Sequence, residues 1–224
     1  MDDRRDNGAR RRVLVGADPA TWFDTAYADC GTPTWDLGRP QPAVERLAEA
    51  GAFGPADATV LDAGCGTGEH ALLLAGLGHP VVGIDLAAEA IERARAKAAD
   101  RGVDGATFLV HDALEVGKLA RRLGRGFDAA LDVGLFHTLS DDDRPRYAAG
   151  LAEAVRGGGR AFVLCWSDRN PFGFGPRRVT RREIRSTFRA SAGWRVDAIE
   201  PEELVTRLPV ARIDAWMARL SRRA

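Results

Sequence analysis

The chain has 224 residues, and its 32 Lys and Arg residues balance 32 Asp and Glu residues, so the formal net charge at pH 7 is zero. This balance argues against nucleic acid or a membrane as the main partner, because both attract proteins with an excess of basic residues. A content of 45% hydrophobic and 29% charged residues is typical of a globular protein and excludes a wholly disordered chain.

The cysteines and the apolar runs further limit the class of protein that this chain can be. Only Cys30, Cys65 and Cys165 occur, which predicts neither a disulfide framework nor a structural zinc site, and no metal is expected. No apolar run approaches the ~20 residues of a membrane span, and the N-terminus lacks the apolar core of a signal peptide. We therefore expect a cytoplasmic protein that is a monomer or a homodimer.

The first 56 residues are predicted to precede the core of the protein. Residues 1–17 mix Asp, Arg, Asn and Gly without an apolar period, so we expect a mobile tail. Aromatic residues at near-helical spacing follow over Thr21–Tyr27, and a helix is predicted over Pro42–Ala50. We predict a single domain over residues 18–224, made of an N-terminal segment (18–56) and a core (57–224).

From residue 58 onward, short apolar runs alternate with Ala-rich helical stretches. Apolar strands that alternate with helices are typical of a parallel sheet covered on both faces. The sequence therefore predicts an α/β fold with a doubly wound, mostly parallel seven-stranded sheet, helices on both faces and a C-terminal antiparallel hairpin. The first five predicted strands are Thr59–Ala63, Pro80–Asp85, Thr107–Val110, Phe127–Asp132 and Arg160–Trp166, with helices near 68–77, 87–101, 115–123 and 141–156.

The pattern changes again after Arg178. We predict a helix, two hairpin strands and an amphipathic helix, over Thr180–Ala190, Gly193–Ile199, Glu203–Leu208 and Val210–Arg219. Residues 177–224 contain 12 Arg against six acidic residues, a net of +6, so residues 1–176 carry −6. The run of Arg177, Arg178, Arg181 and Arg182 is interpreted as a solvated face or, alternatively, as a patch that attracts an anionic substrate.

The most informative segment is the loop after the first predicted core strand. Asp62 precedes Gly64, Gly66 and Gly68, which occupy alternate positions before the next helix. Such glycines let the backbone turn sharply and approach a ligand closely. Their spacing differs from a P-loop, which needs Gly-Lys-Ser/Thr, and from the G-x-G-x-x-G fingerprint of dinucleotide-binding proteins. An acid just before the glycines suits a cation better than a pyrophosphate.

Two further acids end the next two strands. Asp85 closes the second strand, where a carboxylate can accept hydrogen bonds from both hydroxyls of a ribose, and Asp112 closes the third. Together with Asp62–Gly68 they resemble the three cofactor motifs of class I S-adenosylmethionine-dependent methyltransferases. The resemblance implies a Rossmann-like methyltransferase fold, S-adenosyl-L-methionine as the cofactor and S-adenosyl-L-homocysteine as its product.

The same resemblance implies a role for each matching residue. Asp62 and the glycine loop would meet the methionine moiety, Asp85 the ribose, Leu86 the adenine ring, and Asp112 with the Ala113 amide the adenine edge. The predicted cofactor-binding set is Trp35, Asp62, Gly64, Cys65, Gly66, Gly68, Asp85, Leu86, Asp112, Ala113 and Asp132.

A narrower resemblance concerns the segments Trp35–Pro42 and Leu135–His137. They are similar to small-molecule methyltransferases of the thiopurine methyltransferase-like group, in which an aromatic upstream segment covers the cofactor. This implies that residues 18–56 form a lid over the catalytic core. Trp22 and Phe23 would then line the substrate pocket, with ordinary helix packing as the alternative.

His137 is the candidate general base, because an imidazole at the end of the fourth strand can take a proton from a thiol, a phenol or a protonated amine. A hydrogen-bonded or cofactor-gating histidine is the alternative. Phe136, Phe172 and Phe174 are further candidates for the substrate pocket, the last two on a flap that alternatively packs only against itself. Methyltransferases acting on DNA amines or glutamine typically have Asn/Asp-Pro-Pro-Tyr/Phe after that strand, which this chain lacks.

These observations favour a methyltransferase that modifies a sulfur, nitrogen or oxygen atom of a small aromatic or apolar molecule. An NAD-dependent oxidoreductase is an alternative, because Asp85 would also suit the ribose of NAD, although the loop spacing argues against it. A cofactor-binding protein of the same fold without methyl transfer is the other alternative.

Overall fold

The computed structural model describes residues 19–29, 32–171, 175–209 and 212–224, so the predicted tail over residues 1–17 lies outside the described residues. Its centre is one seven-stranded sheet with the order β3-β2-β1-β4-β5-β7-β6. Strands β1 to β5 pair in parallel, whereas β7 lies antiparallel between β5 and β6. The strands are β1 Val60–Ala63, β2 Val81–Asp85, β3 Ala106–Val110, β4 Phe127–Val133, β5 Val155–Trp166, β6 Trp194–Val205 and β7 Arg212–Arg222.

Helices cover both faces of the sheet, as the sequence predicts. The core on one face includes residues of α5, α6 and α7, and the core on the other includes residues of α2, α3 and α4. The central strands β1, β2 and β4 are buried along most of their length, which is why they are apolar runs in the sequence. The helices are α1 Pro19–Asp29, α2 Pro42–Glu49, α3 Glu69–Gly76, α4 Ala88–Arg101, α5 Val116–Leu123, α6 Asp143–Ala154 and α7 Arg181–Thr187.

The strand order reverses direction between β1 and β4. In a doubly wound sheet, the loops that follow the two strands at this point leave in opposite directions and open a crevice outside their carboxyl ends. Asp62 on β1 lies beside Leu131 on β4, and Ala63 lies beside Asp132. The glycine loop and the loop that carries His137 therefore meet at the same edge of the sheet.

The predicted C-terminal hairpin is present, but its elements differ from the prediction. Trp194–Val205 is a single strand, and residues 212–219 of the predicted helix Val210–Arg219 instead belong to β7. Strand β7 lies between two strands and is buried on both faces, with Trp216, Ala218 and Leu220 on one side and Ile213, Ala215 and Met217 on the other. Apolar residues on both faces hide the two-residue alternation of a strand.

Two other boundaries differ. Strand β5 begins at Val155, five residues before the predicted Arg160, because Val155 already pairs with Phe127 ahead of a register shift that brings Arg160 beside Ala129. Helix α7 is shorter than predicted and begins after Thr180, whose side chain accepts the Glu183 N–H while Glu183 reaches back to the Thr180 backbone. Among the described residues, no helix combines the length and the apolar character needed to cross a membrane.

Candidate active site

The glycine loop turns sharply between β1 and α3. Gly64, Gly66 and Gly68 have φ values of +71°, +52° and +85°, a region that side chains other than glycine rarely adopt. A Cβ at Gly64 would lie 2.9 Å from the Leu135 Cβ, and one at Gly68 would lie 2.8 Å from the Phe108 ring. Both glycines are thus needed for the loop to fit against its neighbours.

Asp62 lies at the base of this loop with 1% of its surface exposed. Neither carboxylate oxygen has a partner within hydrogen-bonding geometry among the described residues. Burial, followed by the charges of Asp132 and Asp85, raises the pKa of Asp62 to about 7, and the backbone N–H of Ala71 offsets this only in part. A buried carboxylate without a partner is costly, so this position is prepared to receive a cationic group.

Asp85 ties the glycine loop to the end of β2. Its Oδ2 accepts the Gly66 N–H at 2.9 Å, and its Oδ1 accepts the Ala87 N–H at 2.9 Å. Burial raises the pKa of Asp85, against the effect of these backbone donors. Leu86 follows it and is half-buried. The carboxylate is therefore fixed at the strand end.

Asp112 and Ala113 lie at the end of β3, as the sequence predicts. The Asp112 Oδ1 accepts the Leu114 N–H at 2.8 Å and begins a short 3₁₀ turn over Ala113–Glu115. Ala113 is buried within the core, whereas Asp112 is half-buried. The three acids thus end three adjacent strands, in the spatial order β3, β2, β1.

An aromatic cluster from the N-terminal segment lies against the glycine loop. Trp22 stacks on Trp35 at 6.0 Å between ring centroids, and Phe23 meets the same ring edge-on at 6.3 Å. The Trp35 Nε1 donates to the Tyr27 hydroxyl at 3.0 Å. That hydroxyl lies 2.9 Å from where a Cβ at Gly66 would be, so Tyr27 covers the loop.

Tyr27 is absent from the predicted site set, and the only signal for it in the sequence is its place in the aromatic spacing of α1. The hydroxyl is buried, and burial followed by the charge of Asp85 raises its pKa. Trp35 retains 41% exposure, which leaves part of its ring accessible at the mouth of the site.

A charged network, also unpredicted, holds the outer side of the glycine loop. The Thr67 hydroxyl donates to Asp36 at 2.9 Å and accepts from Lys97 at 2.7 Å. Lys97 also reaches Glu69 at 2.7 Å, and Arg101 donates to both Glu69 oxygens at 2.8 and 3.0 Å. These cations lower the pKa of Glu69 despite its partial burial. The network connects the N-terminal segment, the loop and α4.

Gln41 and His70 anchor the segment between Trp35 and α2. The Gln41 side chain is 3% exposed and forms two 2.9 Å hydrogen bonds with Val205, one to its N–H and one to its carbonyl. The Gln41 N–H donates to the His70 Nε2 at 3.1 Å. Burial lowers the pKa of His70 to about 4, so the ring stays neutral and keeps this acceptor.

Asp132 organises the loop after β4. Its Oδ1 accepts the backbone N–H groups of Leu135 at 3.0 Å and Phe136 at 3.2 Å, while its Oδ2 has no partner within hydrogen-bonding geometry among the described residues. Burial raises the pKa of Asp132 to about 7, against these two donors and the adjacent Tyr147 hydroxyl. The geometry supports a role for Asp132 in shaping this loop.

Phe136, a candidate pocket residue, has no exposed surface. Its ring packs against Phe188 at 5.4 Å, and the Arg144 guanidinium lies over it at 4.7 Å. Phe136 therefore belongs to the core beneath the loop and does not form a pocket wall. Phe172 and Phe174 lie outside the described residues.

His137 is 7% exposed, and its Nδ1 accepts the Trp166 N–H at 3.2 Å. The neutral ring that fits this bond carries its proton on Nε2. Burial, together with the charges of Arg144 and Arg178, lowers the pKa of His137 to about 3. Its geometry therefore suits a donor through Nε2 better than the predicted general base.

The remaining features to locate are the cysteine of the glycine loop and any group of metal-binding side chains. Cys65 is buried in the glycine loop, and burial followed by the charge of Asp62 raises its thiol pKa, so it is not activated as a nucleophile. Within the described ranges, no group of three His, Cys, Asp or Glu side chains is placed to hold a metal ion.

Known proteins share this architecture. The family described as a methyltransferase domain matches residues 60–159. A 2-heptyl-1-hydroxyquinolin-4(1H)-one methyltransferase from Mycobacteroides abscessus is 36% identical over 175 residues, which cover 77% of this chain and 73% of that protein.

Two solved structures extend the match across most of the chain. One, from work on the conversion of a disulfide bond into a thioacetal group during echinomycin biosynthesis, has a TM-score of 0.79 and 35% identity, over 91% of this chain and 93% of the other. The other is the 1,6-didemethyltoxoflavin-N1-methyltransferase of Burkholderia thailandensis with bound S-adenosylhomocysteine, at a TM-score of 0.66 and 21% identity, over 92% and 87%.

The site suits a cationic nucleoside cofactor, because acids end three adjacent strands and Asp62 in the glycine loop has no hydrogen-bond partner among the described residues. More than a third of the aligned residues are identical to those of a known methyltransferase. The chain belongs to the methyltransferases.

Proposed function

We propose that the protein transfers the methyl group of S-adenosylmethionine to an oxygen, nitrogen or sulfur atom of a small aromatic or apolar molecule. The observation that carries the cofactor part is Asp62, a buried carboxylate at the base of the glycine loop with no hydrogen-bonding partner among the described residues. The part concerning the acceptor is supported by the 36% identity to a methyltransferase that acts on a substituted hydroxyquinolone.

The residues of the site fit this cofactor, which carries an ammonium, a sulfonium and a ribose but no phosphate. In the proposal, Asp62 faces the ammonium, while the backbone of Gly64, Cys65, Gly66 and Gly68 contacts the methionine moiety. Asp85 accepts hydrogen bonds from the ribose, and Leu86, Asp112 and Ala113 hold the adenine. The bound cofactor supplies a methyl group on a sulfonium, which is strongly electrophilic.

The residues of the chain would position the cofactor and the acceptor and would shield the reacting groups from water. Transfer from a sulfonium is an in-line displacement, and holding the two reacting groups in line can contribute ~7–11 kcal/mol. The proposed lid over residues 18–56, with Trp22, Phe23, Tyr27 and Trp35 against the glycine loop, would exclude water from that line. The catalytic core would be residues 57–224 of the single domain. Placement within the thiopurine methyltransferase-like group remains a prediction.

Two experiments test this function. Calorimetry is expected to detect binding of S-adenosylhomocysteine at micromolar levels and no binding of NAD; the reverse result would contradict the proposed cofactor site. A screen with methyl-labelled S-adenosylmethionine over thiols, phenols, N-hydroxyquinolones and heteroaromatic amines is expected to label a small acceptor. Cofactor binding without transfer to any acceptor, including a peptide library, would instead favour a cofactor-binding protein without methyl transfer.

A further inference from the structure

We propose, building on the function above, that Arg144 binds the methyl acceptor through an anionic group, so that the acceptor is an ionised phenol, N-hydroxy heterocycle or thiol. The residue has no role in the cofactor motifs. It lies near the start of α6, where the sequence alone would suggest a solvent-exposed arginine. The structure places it elsewhere.

The Arg144 side chain is buried and only partly paired. The residue is 2% exposed, and an ion pair joins its NH1 to the Glu183 Oε1 at 3.3 Å. Its Nε and NH2 have no hydrogen-bond partner among the described residues. Buried polar groups nearly always have a hydrogen-bond partner, and the planar guanidinium can bind an oxygen anion through two parallel N–H groups. The two unpaired nitrogens therefore indicate a missing anionic partner.

The negative charge of Glu183 is shared between Arg144 and other groups. Its Oε1 also accepts from Arg177, and its Oε2 accepts from the Thr180 N–H and hydroxyl, each at 2.7 Å. Asp141, a further acid near Arg144, pairs with Arg177 and has a largely exposed side chain. Burial, followed by the charge of Arg177, lowers the pKa of Arg144. Among the described residues, Arg144, Arg177 and Arg178 thus share this side of the site with two acids, Glu183 and Asp141.

Contacts link Arg144 to the cofactor side of the site. Its guanidinium lies over Phe136, whose neighbour Leu135 approaches the glycine loop at Gly64. His137 follows Phe136 in the chain, and the positive charge of Arg144 contributes to the lowered pKa of its imidazole. These residues follow β4 directly, so Arg144 is near the carboxyl ends of β4 and β5, next to the crevice where an acceptor would approach the methyl group.

Arg178 adds a third cation on the same side. Its guanidinium lies over the Trp166 ring at 4.7 Å and donates to the carbonyls of Pro176 and Pro171. Those bonds hold the segment before α7 against the end of β5. Arg178 is therefore interpreted as a positioning residue, and Arg144 as the residue that contacts the anion.

An anionic acceptor also explains how the reaction proceeds without the predicted base. The acceptor loses its proton to solvent before it binds, and the guanidinium stabilises the resulting anion. A lone pair on the oxygen or sulfur then forms the bond to the methyl carbon as the carbon–sulfur bond breaks, and that electron pair stays on the departing sulfur. His137, with its proton on Nε2, would donate a second hydrogen bond to the anion.

The test compares ionised and neutral probes on the protein loaded with S-adenosylhomocysteine. The pairs are 4-nitrophenol with 4-nitroanisole, and 2-heptyl-1-hydroxyquinolin-4(1H)-one with the same quinolone lacking the N-hydroxyl, measured at a pH where the acidic members are ionised. We expect the wild type to bind the anionic member of at least one pair tenfold more tightly. No preference, or a preference for the neutral members, would overturn the proposal.

Variants identify the residue responsible. Arg144→Met is expected to abolish the preference for the anion and to leave binding of S-adenosylhomocysteine unchanged, while Arg144→Lys keeps part of it. The control is Arg146→Gln on the same helix, whose side chain is 59% exposed. A wild type that fails to bind S-adenosylhomocysteine would contradict the proposed function, separately from this inference.

Stability distinguishes binding from a structural role. Arg144→Met removes a buried, half-paired charge and leaves Glu183 paired with Arg177 and Thr180, so its melting temperature is expected to equal or exceed that of the wild type. A lower melting temperature together with equal weakening of the anionic and neutral probes would mean that Arg144 only supports the fold, and would overturn the proposal.

Discussion

The Tyr27 hydroxyl lies 2.9 Å from the position that a Cβ atom at Gly66 would occupy. One contact therefore joins the N-terminal segment to the proposed cofactor loop. Gly66→Ala is expected to displace Tyr27, break its hydrogen bond with Trp35 and weaken S-adenosylhomocysteine binding at least about tenfold, or ~1.4 kcal/mol, in calorimetry.

The double variant Gly66→Ala with Tyr27→Phe separates the clash from backbone strain. Removing the hydroxyl makes room for the methyl group, so part of the affinity is expected to return. The φ of +52° at Gly66 leaves a residual penalty of ~1 kcal/mol for alanine. Equal affinity of the single and double variants would show that Tyr27 does not cover the loop in solution.

Asp85 is expected to affect both the loop and the ligand. Asp85→Ala removes the acceptor of the Gly66 and Ala87 N–H groups and the proposed ribose contact, so cofactor affinity is expected to fall by ~2 kcal/mol or more. Asp85→Asn keeps one oxygen and is expected to lose less. The control is Asp104→Asn, an exposed acid before β3. Calorimetry that gives wild-type affinity for both Asp85 variants would remove this residue from the site.

The raised pKa of Asp62 predicts how cofactor binding depends on pH. Below about pH 7 the carboxyl is protonated and must release its proton to bind the ammonium. The affinity for S-adenosylhomocysteine is therefore expected to rise with pH up to about 7 and then level off. Asp62→Asn is expected to bind weakly and to lose this dependence, which titrations from pH 5.5 to 8.5 would reveal.

The same residue predicts a change in stability of opposite sign. An acid whose pKa is higher in the folded state favours folding at low pH, and this contribution is lost as the pH rises through about 7. At pH 8 the wild type contains a buried, ionised Asp62. Asp62→Asn is therefore expected to melt at a higher temperature than the wild type at pH 8 without ligand. A lower melting temperature would mean that the carboxylate has a stabilising partner.

His137 is expected to remain neutral throughout the working pH range, because its pKa is about 3. With cofactor and acceptor saturating, kcat between pH 5.5 and 8.5 is expected to show no ionisation that belongs to this residue. His137→Gln, which can accept the Trp166 N–H and still donate, should retain most activity. His137→Ala should unfold more easily by ~1–3 kcal/mol, since that buried N–H loses its acceptor. An ionisation near pH 6–7 that disappears in His137→Gln would restore the general base.

The predictable parts of this protein are those encoded over a few neighbouring residues. The glycine loop can be found in the sequence because a sharp backbone turn requires glycine. The acids that end β1, β2 and β3 can be found because apolar strands alternate with helices along the chain. Tyr27 and Arg144 become visible only in the fold, because their importance comes from contacts with Gly66 and Phe136, which are far away in the sequence. The helix predicted in place of β7 is wrong for a related reason: a strand buried on both faces has no polar side to reveal its period.

Charge is distributed unevenly along the carboxyl edge of the sheet. Acids end β1 to β4, whereas the arginines Arg144, Arg177 and Arg178 all lie beyond β4 and β5. A cationic donor and an anionic acceptor would each be attracted to their own half, and methyl transfer would cancel both charges at once. Added salt is then expected to weaken substrate capture more than product departure. Turnover would be driven forward by the disappearance of the attraction that assembled the reactants.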